Sequence, residues 1–120
     1  MVIGINQEKQ VIIWNKAMEK MSGISACAIL GQGNHAYSLP FYGQRRPFLM
    51  EVLLRNAPSL FDHYDNVTEN ADAISGEAFC RELYQKKGAW IYARAALLRD
   101  SQGGIIGAIE SVRDITQRKE

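Results

Sequence analysis

The last part of the chain, residues 104–119, constrains the fold more than any other segment. Residues 105–113 are mostly apolar and β-branched with small residues between them, which is typical of a largely covered strand. Asp114 followed three residues later by Gln117 has the spacing of a helix capping box. A strand that passes directly into a helix start predicts one domain over residues 1–113 and the beginning of an outgoing helix over 114–120. We expect this helix to carry an output into a longer protein.

Charge and composition exclude several classes of partner. The 120 residues include 14 basic and 13 acidic side chains, for a net charge of +1. This balance provides no basic surface for nucleic acid or anionic lipid. No apolar run approaches the roughly 20 residues that span a bilayer, and the N-terminus lacks a signal-peptide pattern. Cys27 and Cys80 are expected to be free thiols, which favours the cytoplasm.

Hydrophobic periodicity predicts a strand pair, a helical middle and a second group of strands. Residues 2–6 and 11–14 form an expected hairpin, and Asn15 caps a helix that ends at Gly23. Ser25 caps a second short helix through Leu30. The remaining segments are predicted as a loop over 31–42, a helix over 47–56, a polar segment over 59–77 with one helical turn at 60–64, and strands over 78–85, 89–99 and 105–113. The predicted class is α+β, with five antiparallel strands and helices inserted between the second and third on one sheet face.

Motifs for catalysis are absent from the sequence. It contains no Gly-x-Ser-x-Gly elbow, phosphate-binding loop or His-Glu-x-x-His metal site. Cys27 or Cys80 activated by His35 or His63 would make a thiol-dependent hydrolase, but the local sequence gives no activating pattern. We therefore expect no enzymatic activity of this domain.

The order of these segments resembles that of a PAS domain, the sensory module of many histidine kinases. Asp114, Ile115 and Thr116 match the Asp-Ile-Thr that joins the last PAS strand to a signalling helix. The opening hairpin, the helix over 15–23 and the strand over 90–100 also match. The resemblance implies a sensory domain of a histidine kinase in a two-component system. Such a domain forms a homodimer, senses a small molecule in its core and acts on an output domain of the same chain. A constitutive dimerisation module without ligand is the alternative.

The sequence has few of the residues that hold the cofactors of related domains. Some PAS domains bind haem through a histidine on the helix that faces the sheet, and His63 lies in the corresponding part of the chain. A surface histidine is the ordinary interpretation of a single His without a pocket. Light-sensing flavin domains carry Asn-Cys-Arg-Phe-Leu-Gln, whereas Cys27 is followed by Ala28-Ile29-Leu30. We expect neither haem nor flavin, and no metal.

A small-molecule pocket is the sharper of two interpretations of the small residues around Ala93, Ala95 and Ala108. Arg81, Tyr84, Tyr92 and Arg94 would supply its polar contacts, and the apolar face of the 47–56 helix would line it with Phe48 and Leu53. In the other interpretation, the room is filled by packed side chains: Met18, Met21, Phe48, Leu49 and Leu53. The sequence leaves open which face of each strand points inward.

Three further expectations concern charge pairs, coupling and self-association. Arg45 and Arg46 are expected to form salt bridges with Glu51, Asp62 or Asp65 rather than to capture an anion. Asp114 is expected to cap the outgoing helix and to be held to the sheet by Arg94 or another donor on the neighbouring strand. Four apolar residues of the hairpin are expected to exceed what one small core covers and to form a partner surface: Ile3, Ile5, Val11 and Ile13.

Overall fold

The computed structural model describes residues 1–33, 35–43, 48–54, 64–69 and 73–119. These residues form strands and short helices in the order β1 (Val2–Asn6), β2 (Val11–Trp14), α1 (Lys16–Ser22), α2 (Ala26–Ile29), a 3₁₀ turn (Ala36–Ser38), α3 (Leu39–Tyr42), α4 (Leu49–Leu53), β3 (Asp65–Glu69), β4 (Ala73–Cys80), α5 (Leu83–Lys86), β5 (Ala89–Arg99), β6 (Ile105–Asp114) and α6 (Thr116–Lys119). The α+β class is confirmed.

The strands form one antiparallel sheet in the order β2-β1-β6-β5-β4-β3 within the described residues. This order brings the last strand, β6, between the first strand and β5. The two long strands β5 and β6 pair from Ile91 opposite Asp114 to Arg99 opposite Ile105. The described sheet has one strand more than the five expected, because Asp65–Glu69 pairs with β4 at the sheet edge.

Strand alternation defines two faces of the sheet. On the inner face, Ile91, Ala93 and Ala95 are buried beneath the helices, and α4 packs across β4, β5 and β6. The intervening residues Tyr92 and Arg94 lie on the outer face. The interpretation that side chains fill the core agrees with the burial of four of its five residues, and the fifth, Leu53, is partly buried against the same core.

The opening hairpin and α1 were predicted with their caps. Asn15 accepts a hydrogen bond from the Met18 N–H at 3.0 Å, and Gly23 ends the helix in the left-handed conformation with φ 79°. Asn15 also accepts from the Val2 N–H at 3.1 Å, which ties the start of the helix to β1. The cap therefore also fixes the direction in which α1 leaves the sheet.

The expected exposure of the hairpin is wrong for three of its four apolar residues. Ile3, Ile5 and Val11 are fully buried within the chain, and Ile13 is half-buried. Ile3 and Ile5 lie on the inner face, directly opposite Glu110 and Ala108 of β6. Because these side chains point from β1 into the space beneath the helices, the core of a single chain covers them.

The predicted strand over 78–85 is wrong in both bounds. β4 begins at Ala73 and ends at Cys80, and the chain then enters a turn and the short helix α5. The Glu82 N–H bonds to the Phe41 carbonyl at 3.3 Å, and Leu83 is fully buried. Burial of Leu83 against the helical side of the domain turns residues 81–86 away from the sheet.

Other segments also differ from their predicted extents. The predicted loop over 31–42 contains the 3₁₀ turn and α3, whose end at Gly43 has φ 73°. The described part of the helix predicted over 47–56 is α4, from Leu49 to Leu53. Part of the polar segment over 59–77 forms β3 and the start of β4. The helical turn predicted at 60–64 falls largely outside the described residues.

Gly107 allows β1 and β6 to approach each other closely. A Cβ atom built at this position would overlap the Ile5 carbonyl oxygen and lie 3.1 Å from the Cα of Asn6. Gly107 pairs with Asn6, at the end of β1. A side chain at position 107 would therefore separate the two strands.

Among the described helices, none is long and apolar enough to cross a membrane.

Candidate functional site

Glu51 is the centre of a buried polar network formed by four side chains. It lies in α4 with a side chain that is 0% exposed. The His35 ring nitrogen Nε2 lies 2.9 Å from Glu51 Oε2 and 3.2 Å from Oε1, and Lys9 Nζ lies 3.7 Å from Oε1. The Tyr37 hydroxyl donates to Glu51 Oε2. These four residues, called the Glu51 network below, join the β1–β2 turn and the 3₁₀ turn to α4.

Tyr37 is held inside the domain by contacts of its ring and of its hydroxyl group. Phe48 stacks edge-on against it with ring centroids 4.8 Å apart, and the Phe48 N–H lies 3.4 Å from the Tyr37 hydroxyl oxygen. Burial, with the charge of Glu51, raises the pKa of Tyr37 far above its ordinary value. Tyr37 is therefore a neutral donor to Glu51 at every physiological pH.

A second buried carboxyl group, that of Glu110, lies on the inner face of β6. It is 0% exposed, and its Oε1 accepts the Met50 N–H of α4 at 2.9 Å. Its Oε2 has no hydrogen-bond partner among the described residues. Burial and, to a smaller extent, the nearby Glu51 raise the pKa of Glu110 to about 8 although the Met50 N–H lowers it. Glu110 therefore keeps its proton near neutral pH.

Aromatic side chains fill the space beside the two carboxyl groups. Phe41 and Phe48 pack edge-on with ring centroids 5.0 Å apart, and Tyr42 packs on Phe48 at 5.8 Å. The hydroxyl oxygens of Tyr42 and Tyr64 lie 3.5 Å apart. Burial raises the pKa of Tyr64 well above its ordinary value. The region beside Glu110 thus combines tyrosine hydroxyl groups with apolar walls.

The segment over 114–119, called the exit segment below, is fastened to the start of β5. The Ile115 N–H donates to the Trp90 carbonyl at 2.8 Å, and the Trp90 N–H donates to Thr116 Oγ1 at 3.0 Å. Asp114 Oδ1 accepts the Thr116 N–H at 2.9 Å. The Tyr84 hydroxyl also bonds to the Asp114 side chain. Thus Asp114, Ile115 and Thr116, the residues expected to transmit a signal, each make a contact that fixes the exit segment.

The donor that reaches Asp114 from outside the exit segment comes from α5. Arg94, the named candidate, lies on the outer face opposite Ser111, three residues before Asp114 in β6. Tyr84 makes the contact instead, from a backbone with φ 56°, in the left-handed region that non-glycine residues rarely adopt. Sequence reasoning missed it because residues 81–85 were assigned to a strand.

The six residues expected to line a pocket do not come together. Phe48 is buried in the core and Leu53 is partly buried against it. Tyr92 and Arg94 lie on the outer face, where the Arg113 guanidinium carbon lies 5.4 Å from the centre of the Tyr92 ring. Arg81 is exposed in the turn after β4, and Tyr84 is 37% exposed near Asp114. A ligand between the sheet and the helices would reach Phe48 but not Tyr92 or Arg94.

Sequence reasoning missed both buried carboxyl groups as site residues. Glu110 could have been found from alternation, since it shares the inward register of Ala108 and Val112. Glu51 was expected to pair with Arg45 or Arg46, which lie outside the described residues, as do Asp62 and His63. In the described part of the chain, no group of three or more His, Cys, Asp and Glu side chains could hold a metal ion.

Comparisons with known proteins agree with this architecture. The family model described as PAS fold matches residues 1–120. A search of curated protein sequences returned no match. The PAS domain of BvgS from Bordetella pertussis has a similar structure, with 17% identity over 98% of this chain and 76% of that chain and a TM-score of 0.61.

Two further solved structures show the same fold. A domain of the putative light and redox sensing histidine kinase from Haloarcula marismortui is 19% identical over 96% of this chain and 88% of that chain, with a TM-score of 0.54. VqmA bound to DPO is 12% identical over 98% of this chain and 52% of that chain, with a TM-score of 0.64. At these identities the likeness shows the fold alone. The family match over the whole sequence shows that this chain belongs to the PAS family.

Proposed function

We propose that the chain is a non-catalytic sensory domain of a cytoplasmic signalling protein, a histidine kinase of a two-component system. In this role it takes up a small molecule between α4 and the inner face of the sheet. The resulting change passes to an output domain through the exit segment. The likeness to the Haloarcula histidine kinase domain supports the kinase context, and the likeness to VqmA bound to DPO supports an input from a bound ligand.

One observation carries this proposal: the Met50 N–H of α4 bonds to Glu110 on β6 at 2.9 Å. Glu110 precedes Asp114 by four residues on the same strand, so the contact links the helical side of the domain to the strand that continues into the exit segment. A displacement of α4 by a ligand would strain or break this bond. β6 would then transfer the change to Asp114 and the residues that follow.

Native mass spectrometry and hydrogen exchange test the proposal together. We expect the purified protein to retain a small molecule, and its removal to change amide exchange at residues 114–119. The turn over 100–104 lies at the opposite end of β6 and is the internal control, since exchange there should not change. If the measured mass equals that of the polypeptide alone, and extensive dialysis leaves amide exchange at residues 114–119 unchanged, a ligand-dependent role is contradicted.

A constitutive dimerisation module is the second candidate function. It is favoured by aromatic side chains on the outer face near the exit segment, where Phe79 is 48% exposed and packs edge-on with Trp90 at 5.7 Å. Exposed aromatic clusters of this kind occur at protein interfaces. Self-association through this face is compatible with both functions, so only the small molecule distinguishes them.

A further inference from the structure

The Oε2 atom of Glu110 is a buried polar atom without a hydrogen-bond partner among the described residues. Buried polar atoms are nearly always hydrogen-bonded, because leaving one without a partner costs about 1–3 kcal/mol. Glu110 is fully buried, and only one of its two carboxyl oxygens has a partner among the described residues, the Met50 N–H. Its Oε2 is therefore available for a hydrogen bond that these residues do not make.

Glu51 shows what a satisfied carboxyl group looks like in the same core. Its two oxygens are met by Tyr37, His35 and Lys9, from two separate turns. Glu110 lies on β6, and among the described residues it has no comparable set of partners. Lys9 and His35 pair with Glu51, and among the described residues no basic side chain forms a salt bridge with Glu110.

The surroundings of Glu110 provide the apolar part of a site. Its neighbours across the sheet are Ala95 on β5 and Ile3 on β1, and its inner-face neighbours on β6 are Ala108 and Val112. Three of these are smaller than the Glu110 side chain itself, which therefore extends beyond them towards α4. The carboxyl group is thus the polar feature of an otherwise apolar surface, as is typical of small-molecule sites.

The protonation of Glu110 determines which ligand group fits. With its pKa raised to about 8 by burial, the carboxyl group is neutral near pH 7 and Oε2 carries the proton. A neutral carboxyl group that accepts at Oε1 donates at Oε2. It therefore matches a hydrogen-bond acceptor and does not match an ammonium group.

We propose that Glu110 anchors a small uncharged ligand by donating a hydrogen bond from Oε2 to a carbonyl oxygen or ring nitrogen of that ligand. The inference rests on the proposed function, whose ligand it assigns to a chemical class. Ligand binding would then place its acceptor beside the Met50–Glu110 bond, at the link between α4 and β6.

Three cyclic probes of similar size test this class: cyclohexanone, cyclohexane and cyclohexylammonium. Binding is followed by two-dimensional NMR of the backbone amides of Met50 and Glu110 in the purified chain at pH 7. We expect cyclohexanone to bind about tenfold more tightly than either other probe, as one buried hydrogen bond predicts. Infrared spectroscopy should show the Glu110 C=O stretch shifting when the ketone binds, which packing alone would not cause.

Two substitutions at position 110 separate the effect of the hydrogen-bond donor from the effect of side-chain shape. Glu110→Gln keeps an N–H donor and should retain the preference for the ketone, whereas Glu110→Met removes the donor and should abolish it. Three results would overturn the proposal: equal binding of the three probes, binding of none of them, or an unchanged preference in Glu110→Met. A bound water at Oε2 that persists with cyclohexanone present would overturn it as well.

These outcomes are separable from failure of the proposed function. If a retained small molecule alters exchange at residues 114–119 but the ketone preference is missing, only the ligand class is refuted. If the ketone binds at Glu110 but no bound molecule changes amide exchange at residues 114–119, the ligand site is supported and the sensory function is refuted.

Discussion

The Thr116 hydroxyl bridges Trp90 and Asp114, because its oxygen accepts the Trp90 N–H at 3.0 Å while it also bonds to the Asp114 side chain. Together with the bond from the Ile115 N–H to the Trp90 carbonyl, it occupies both backbone groups of Trp90. The exit segment thereby continues the β5–β6 ladder past the end of β6, with a side chain in place of a main-chain acceptor. Movement of β5 relative to β6 must therefore move the first turn of α6.

Thr116→Val should release this fastening while keeping the shape of the side chain. The Trp90 N–H loses its acceptor, so we expect a loss of about 1 kcal/mol in unfolding free energy and faster amide exchange at Trp90. Thr116→Ser, which keeps the hydroxyl, is the control and should exchange as the unsubstituted chain does. Equal exchange in the Val and Ser variants would show that the hydroxyl is not needed.

Asp114→Ala should destabilise the start of α6 by about 1 kcal/mol, because the Thr116 N–H loses its cap. Asp114→Asn retains a capping oxygen and should restore the melting temperature. If charge also matters for coupling, the Asn variant of the full-length protein will lose stimulus-dependent output while remaining as stable as the parent. Normal regulation in that variant would leave the cap as the whole role of Asp114.

Tyr84→Phe should raise the pKa of Asp114. Burial by itself would raise this pKa, but hydrogen bonds from Thr116 and Tyr84 outweigh burial and lower it. A lowered folded-state pKa gives stability that is present above the unfolded pKa and lost as the pH falls through the folded value. The Phe variant should lose less stability over this acidic range, which NMR titration of the Asp114 carboxyl group and acid unfolding will show. Tyr92→Phe, on the outer face, is the control and should leave the titration unchanged.

Glu110 should make the domain less stable as the pH rises. Burial is the main cause that raises its pKa from the ordinary value of 4.5 to about 8. Between these two pH values the folded chain therefore holds a proton that the unfolded chain releases. Its contribution is fully present below about pH 4.5 and falls by up to about 1.4 kcal/mol per pH unit until about pH 8. Urea unfolding of the parent and of Glu110→Gln should diverge over this window and run parallel above it. A constant difference from pH 5 to 8 would exclude a buried, protonated Glu110.

Phe79→Ser should weaken self-association about tenfold if the outer face near the exit segment is the contact surface between copies. Sedimentation equilibrium measures this change directly. Ile12→Ser removes an apolar side chain of similar exposure, 43%, from β2, the edge strand at the other end of the sheet, and should have no effect. The same loss in both variants would point to nonspecific association, and a parent that stays monomeric would contradict the dimer.

Features set by local sequence were predictable, and features set by distant contacts were not. The caps at Asn15 and Gly23, and the alternation of β5 and β6, depend on neighbouring residues and agree with the structure. The end of β4 depends on the Glu82 contact with Phe41, 41 positions away, so the alternation around Leu83 was misleading. β3 escaped prediction because it pairs at the sheet edge with mostly exposed side chains, which leaves no alternation to read.

The candidate site was less predictable than the fold for a related reason. A carboxyl group in an inward register is recognisable, but Glu51 was considered only as a salt-bridge partner of Arg45 or Arg46, because its partners Lys9, His35 and Tyr37 lie in distant turns of the chain. Tyr84 was assigned to the pocket from a strand that does not extend that far. The family indicated by the Asp-Ile-Thr resemblance is confirmed by the family match, whereas the role of this motif in signal transmission stays a prediction.

The close approach at Gly107 has an evolutionary consequence. Any substitution there must push the Ile5 carbonyl away, so random mutagenesis followed by selection for folded protein should return glycine at this position almost without exception. Its tolerance would differ sharply from that of Gly103, where an added Cβ meets no atom within 4 Å and only the backbone angle favours glycine. The contrast predicts that selection acts on the side-chain volume at position 107 but on the backbone conformation at position 103.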